Sequence, residues 1–189
     1  MAQKVRLNNV RVAFAHDLWV ASTQSDDPKA TPKFGCAILI DPADPQVKTI
    51  NAAIEEAAKE KWGAKAAIQL KAVRAVGKGG VNDGDLKTWA GFPGNLYLSA
   101  KNSIRPTIID ADKSPLVQSD GKPYSGSYCN FSVEFAAYDN PKSSAKGIMC
   151  ILLGVQFFRD GESFGGGGAV ASADEFDDVT EGATAEDLV

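Results

Sequence analysis

The run Ser127-Tyr128-Cys129-Asn130-Phe131-Ser132-Val133-Glu134-Phe135-Ala136-Ala137-Tyr138 decides the fold class. Cys129, Phe131, Val133, Phe135 and Ala137 fall on one side of an extended chain; Tyr128, Asn130, Ser132, Glu134 and Tyr138 fall on the other. A period of two marks a strand with one face in a core and one face toward water. Just downstream, residues 147–158 are apolar at nearly every position, which predicts a central strand buried on both faces. The intervening Asp139-Asn140-Pro141-Lys142-Ser143-Ser144-Ala145-Lys146 reads as a hairpin loop with basic residues at its tip.

Working outward, the same pattern recurs. In residues 95–101, Leu96 and Leu98 face one way and Tyr97, Ser99 and Lys101 the other. Residues 105–110 give a short strand, and residues 34–40 give one that is apolar on both faces. The first strand spans residues 4–15, and its alternation slips at Asn8-Asn9, the signature of a bulge. One helix stands out. Asp44-Pro45 opens it, Val47, Ile50, Ile54, Ala57 and Ala58 repeat at three-to-four spacing, and Gly63 stops it. Residues 66–76 fit either a helix or a strand. Residues 77–84 are a Gly-rich loop, and Trp89-Ala90-Gly91-Phe92-Pro93-Gly94 is an aromatic turn. The sum is a mainly β domain over residues 1–160 with one helix inserted after the second strand.

Residues 161–189 differ in kind. Four glycines, Gly165 to Gly168, lead into a terminus without Lys or Arg. From Asp160 onward the chain holds nine of its 24 acidic side chains. Such a segment has too little apolar surface to offset its ordering entropy, and reads as a flexible linker and a disordered acidic tail. Residues 1–159 retain all 20 Lys and Arg against the other 15 acids, so a body of +5 is tethered to a tail of −9, although the whole chain carries −4. A tail of this kind folds back on a basic surface and screens it. Solubilisation alone is the plainer role for an acidic terminus.

Several function classes drop out. The start carries no signal-peptide block, and the longest apolar run is shorter than the roughly 20 residues of a spanning helix, so a cytoplasmic protein with no membrane association is expected. Cys36, Cys129 and Cys150 sit singly in apolar runs, as buried free thiols do. With one histidine and no Cys-x-x-Cys there is no metal or cofactor signature. Gly77-Lys78-Gly79-Gly80 lacks phosphate-loop spacing, and the Asp110-x-Asp112-x-Ser114 run lacks the Gly and Glu of a calcium loop. Asp83-x-Asp85-x-Lys87 matches a short nuclease-like pattern that chance supplies often. The chain is therefore expected not to be an enzyme.

The positive signal is basic and aromatic interleaving between residues 71 and 128: Lys71, Arg74, Lys87, Lys101 and Arg105 for phosphates, Trp89, Tyr97, Tyr124 and Tyr128 for bases. Single-stranded nucleic acid needs both types, cations along its backbone and flat rings for its unstacked bases. Half-exposed tyrosines and solvated lysines would look the same in a purely structural or scaffolding β-protein whose acidic tail controls assembly.

Val5-Arg6-Leu7-Asn8-Asn9-Val10-Arg11, the run from Tyr97-Leu98-Ser99-Ala100-Lys101 to Arg105-Pro106, Tyr124-Ser125-Gly126-Ser127-Tyr128, and the closing strand from Lys146-Gly147-Ile148 to Val155-Gln156-Phe157 resemble bacteriophage single-stranded-DNA-binding proteins, a group long catalogued as a domain of unknown function. The resemblance spans most of residues 4–160. It implies an OB-fold-like five-stranded barrel. It also implies sequence-independent single-stranded-DNA binding in phage DNA replication, recombination or repair, in the host cytoplasm. The tail would recruit replication or recombination proteins and compete with DNA, and a homo-dimer is compatible. Where many such tails end in an aromatic residue, this one ends Glu186-Asp187-Leu188-Val189.

Overall fold

The structure, a computed structural model, describes residues 3–23 and 27–164. The expected glycine linker and acidic run from residue 165 lie outside the described residues. Seven strands and two helices follow in order: β1 (Gln3–Ala13), β2 (Phe34–Ile40), α1 (Gln46–Trp62), α2 (Ala66–Ala75), β3 (Asn82–Asp83), β4 (Leu96–Asn102), β5 (Thr107–Ile109), β6 (Tyr128–Asn140) and β7 (Ala145–Arg159).

Five of the strands close a ring. β1 pairs antiparallel with β2 and β6, β2 with β4, and β6 with β7. A parallel contact of β4 with β7, Ala100 opposite Cys150 and Lys101 opposite Ile151, completes the circuit. The result is an OB-like barrel of β1, β2, β4, β7 and β6, with β3 added beside β4 and β5 beside β7. Closure removes the exposed edges that an open sheet would present.

Alternation fills the barrel. Leu7, Val12, Ile38, Leu98, Phe131, Val133, Phe135 and Leu152 are all essentially inaccessible to solvent. The slip at Asn8-Asn9 is a real bulge: pairing with β6 shifts between Leu7 and Val10, and Asn9 adopts φ 52°. Its backbone N–H donates to Asn130 Oδ1 at 2.9 Å, and its side chain accepts from Arg159 Nε at 3.1 Å, so the bulge is tied to β6 and, beyond it, to β7.

The expected helix is α1. Asp44 Oδ1 accepts the Gln46 N–H at 2.8 Å, and Gly63, at φ 52°, ends the helix. Ile50, Ile54, Ala57 and Ala58 form its buried face against β1 and β6. Residues 66–75 are helical too: α2 buries Ala66, Leu70 and Val73 and packs on α1 and β7. The run at 147–158 departs from its expected burial on both faces. In β7, Cys150, Leu152, Val155 and Phe157 are buried while Met149 and Phe158 are 41% and 46% exposed, because a barrel strand has only one interior face. The hairpin before it is tighter than expected, with pairing that runs out to Asn140 opposite Ala145. Among the described residues, no helix is long and apolar enough to cross a membrane.

All three cysteines are buried free thiols, and desolvation raises their pKa values, Cys129 to about 12. They remain protonated and unreactive at neutral pH.

Candidate nucleic-acid interface

The outer face of β2 and β4 is the candidate face: the alternation that sends Ile38, Ile40, Leu98 and Ala100 inward sends Ala37, Leu39, Tyr97, Ser99 and Lys101 outward. In-register pairing sets Tyr97 beside Leu39 and Ser99 beside Ala37. Small residues on β2 leave room above the sheet, and a groove of about 900 Å³ runs there. Its lining includes Phe14, Lys33, Lys87, Trp89, Phe92, Tyr97 and Lys101.

One wall is aromatic. Trp89 stands edge-on to Phe14 and to Phe92, with centroids 5.2 Å apart in each case, and Phe92 meets Tyr97 at 5.0 Å. Phe92 is buried and anchors the group, whereas Phe14 and Trp89 are 43% and 48% exposed. Phe14 reaches this wall through a left-handed backbone, φ 57° and ψ 41°, which ends β1 and starts a single 3₁₀ turn at Ala15–Leu18. A bulky residue pays roughly 1–3 kcal/mol for such a conformation, a strain that collects at functional sites. The Trp89 loop is held by acids: Asp83 Oδ1 accepts the Asp85 N–H at 2.9 Å and Asp85 Oδ1 accepts the Gly94 N–H at 2.6 Å. Gly84 lies so close to the Phe92 and Asn95 carbonyls that a Cβ there would collide with both. Asp83 and Asp85 thus have structural work, which accounts for their spacing without a metal.

The cations take distinct positions. Lys87 Nζ lies 4.9 Å from the centre of the Trp89 ring, as a cation–π partner of the wall. Lys101 rises from the floor; burial, then the nearby Lys33 charge, lowers its pKa, with Asp17 opposing. Burial raises the Tyr97 pKa, so its hydroxyl stays neutral. Two lysines brought together in a partly desolvated groove repel each other, and an anion relieves that repulsion.

Of the nine residues singled out in the sequence, the groove brings together Lys87, Trp89, Tyr97 and Lys101. Lys71 and Arg74 lie on the exposed side of α2, where Arg74 Nη2 donates to Asn51 Oδ1 at 3.3 Å. Arg105 sits over Trp19, 5.4 Å from its ring, in a separate hollow with Ile108 and Leu116. Tyr124 packs against the core, and its hydroxyl lies 2.8 Å from Asp160 Oδ1 and accepts the Gly161 N–H at 3.1 Å. The Tyr128 ring has two guanidinium groups close by, Arg159 at 3.6 Å and Arg11 at 5.5 Å from its centre.

Sequence reasoning missed Phe14, Phe92 as a wall residue, Lys33 and Arg11. Phe14 directly follows β1, and its left-handed backbone turns the ring outward onto the wall. Arg11 stands on the outer face of β1 opposite Leu39, and its Nε donates to Gly126 O at 3.0 Å. Beyond β7 the chain turns back over this face: Arg11 Nη2 donates to Glu162 O, the Phe164 N–H donates to Ser125 O at 2.9 Å, and the Phe164 ring lies 4.1 Å from the Arg11 guanidinium.

Three comparisons bear on this architecture. The chain is 43% identical over 180 residues to protein p50 of Acyrthosiphon pisum secondary endosymbiont phage 1, covering 94% of each. Its fold is similar to that of the single-stranded DNA-binding protein from bacteriophage Enc34 in complex with ssDNA, with TM-score 0.68, 20% identity, and coverage of 86% of this chain and 90% of that one. It is also similar to gp2.5, a single-stranded DNA binding protein encoded by bacteriophage T7, with TM-score 0.54, 13% identity, and coverage of 91% and 100%. Residues 3–189 match the family described as Enterobacter phage Enc34, ssDNA-binding protein, and the chain belongs to that family.

Proposed function

We propose that this chain is a non-catalytic protein that binds single-stranded DNA with little sequence preference, in phage DNA replication, recombination or repair. The observation that carries the reading is the groove over β2 and β4, where touching, partly exposed rings stand beside lysines. Bases stack on Trp89, Tyr97 and Phe14, each contact worth roughly 1–3 kcal/mol by alanine substitution. Lys33, Lys87 and Lys101 take the phosphates, and Arg11 and Arg159 flank Tyr128 at the far end of the face. Ring stacking and phosphate pairing serve any base alike, which is why sequence preference is weak. Lys71, Arg74, Arg105 and Tyr124 are left out of this set because they lie away from the groove or are engaged elsewhere. The acidic tail screens the basic face when DNA is absent and docks replication or recombination proteins when DNA displaces it.

A tryptophan-fluorescence titration with single- and double-stranded DNA at several salt concentrations tests this. Preferential single-strand binding, quenched emission and a steep salt slope are expected. Equal affinity for the duplex, or no binding, would refute the assignment.

A further inference from the structure

The segment that turns back from β7 places one aromatic ring on the binding face. Phe164 packs with Ala13, Ala37, Leu39 and Phe92, the small cluster that continues into Tyr97 and the groove wall. The tip of its ring closes against Gly91, where any side chain would overlap it and where φ is +84°. The Arg11 guanidinium covers the ring at 4.1 Å, and that guanidinium is itself fixed by the Gly126 carbonyl. The segment that carries it is tied down at separate points: Tyr124 holds Asp160 and Gly161, Arg11 donates to the Glu162 carbonyl, and the Phe164 N–H donates to Ser125 O, while the Glu162 and Ser163 side chains are exposed.

The geometry points to a nucleobase subsite made by Arg11, Gly91 and Phe92, which the chain's own Phe164 fills until DNA displaces it. A guanidinium over a flat ring does not distinguish a phenyl group from a base, and a fixed guanidinium is ready for either. The subsite adjoins the groove, so a strand stacked on Tyr97 and Trp89 reaches it without a break. Self-occupancy lowers apparent affinity by the fraction of time that the subsite is free. This mechanism is separate from the tail's charge, because stacking survives salt and long-range screening does not. The inference rests on the single-stranded-DNA reading of the face.

Removing the ring tests it. Phe164→Ala in the full chain should tighten the apparent Kd for oligodeoxythymidylate about five- to tenfold, as expected if the subsite is free only 10–20% of the time. The gain should persist at high salt. Phe164→Leu keeps the apolar cover without the guanidinium stack and should shift Kd in the same direction by less. Amide exchange at Phe164 should be slow in the free protein and faster with DNA bound. A chain that binds DNA but gains nothing from either substitution overturns the subsite and leaves the groove standing. A chain in which neither the parent nor the Phe164 variants bind DNA overturns both.

Discussion

Two basic regions of this molecule have opposite designs. On α2, Leu70 and Val73 are buried at 5% and 4% exposure, and Lys71 and Arg74 point to water. In the groove, the rings of Phe14 and Trp89 are partly exposed and the Lys101 charge is partly buried. The helix obeys the rules that stabilise a fold. The groove breaks them at several points, through exposed apolar rings, neighbouring like charges and a left-handed phenylalanine. α2 also exposes Ile68, and Val76 just past its end, but aliphatic side chains offer a base no flat face. Cations are common to both regions; what sets the groove apart is the stacking surface beside them and the small residues beneath.

That contrast can be broken most severely from inside the barrel. Phe135→Ala removes a fully buried ring and should destabilise the fold by about 3–5 kcal/mol, read as a large drop in the denaturant midpoint. Groove substitutions should leave that midpoint nearly unmoved. Next in size is binding. Tyr97→Ala with Lys101→Ala should weaken single-stranded-DNA affinity by more than about tenfold, since a stack and a phosphate contact go together. The matching pair on α2, Lys71→Ala with Arg74→Ala, should change Kd by less than about twofold, as expected for charges screened at a distance. Equal losses from the two pairs would erase the distinction between the regions.

The smallest effect sharpens the comparison through pH. Burial and Lys33 hold the Lys101 pKa below its ordinary 10.5, and a bound phosphate favours the charged form and raises it again. The complex therefore holds more protons than the free protein in the window between the two values. Affinity should be full below the free-state pKa and fall as pH rises through it. Lys101→Arg, which stays charged, should flatten that decline in a titration series up to pH 10.5. The sign for stability is the opposite: with its folded pKa depressed, charged Lys101 costs the fold stability at neutral pH, and that cost is relieved as pH rises.

Much of the fold was legible from side-chain period alone. The alternation at 128–138 and 95–101 put Phe131, Val133 and Leu98 inside and Tyr97 and Lys101 outside, as the barrel has them. The Asn8-Asn9 slip and the Gly63 stop were equally plain, because a bulge and a helix end are set by a few adjacent residues. Residues 66–75 were ambiguous for a physical reason: a short run rich in alanine, leucine and valine satisfies either period, and only packing on α1 decides it. Of the nine candidate residues, Tyr97 and Lys101 were found by their strand face, and Lys87 and Trp89 by their types. Lys71, Arg74, Arg105 and Tyr124 carried the same chemistry without the same location.

The sequence by itself determined the strand-dominated class, the inward set of each strand, the first helix with its ends, and the division of charge between a basic body and an acidic terminus. These are local properties, set by spacing and composition. Tertiary structure alone decided which outward face stays open. A period of two separates inside from outside on one strand but cannot say whether the outside is covered by a helix, a loop or nothing. That answer came from long-range pairing, β2 with β4 and β4 with β7, which closed the barrel and left α1 and α2 packed against β1, β6 and β7. The same closure drew Arg11 and Phe14, Lys33, and Phe92 from three separate segments to one surface, and laid Phe164 upon it.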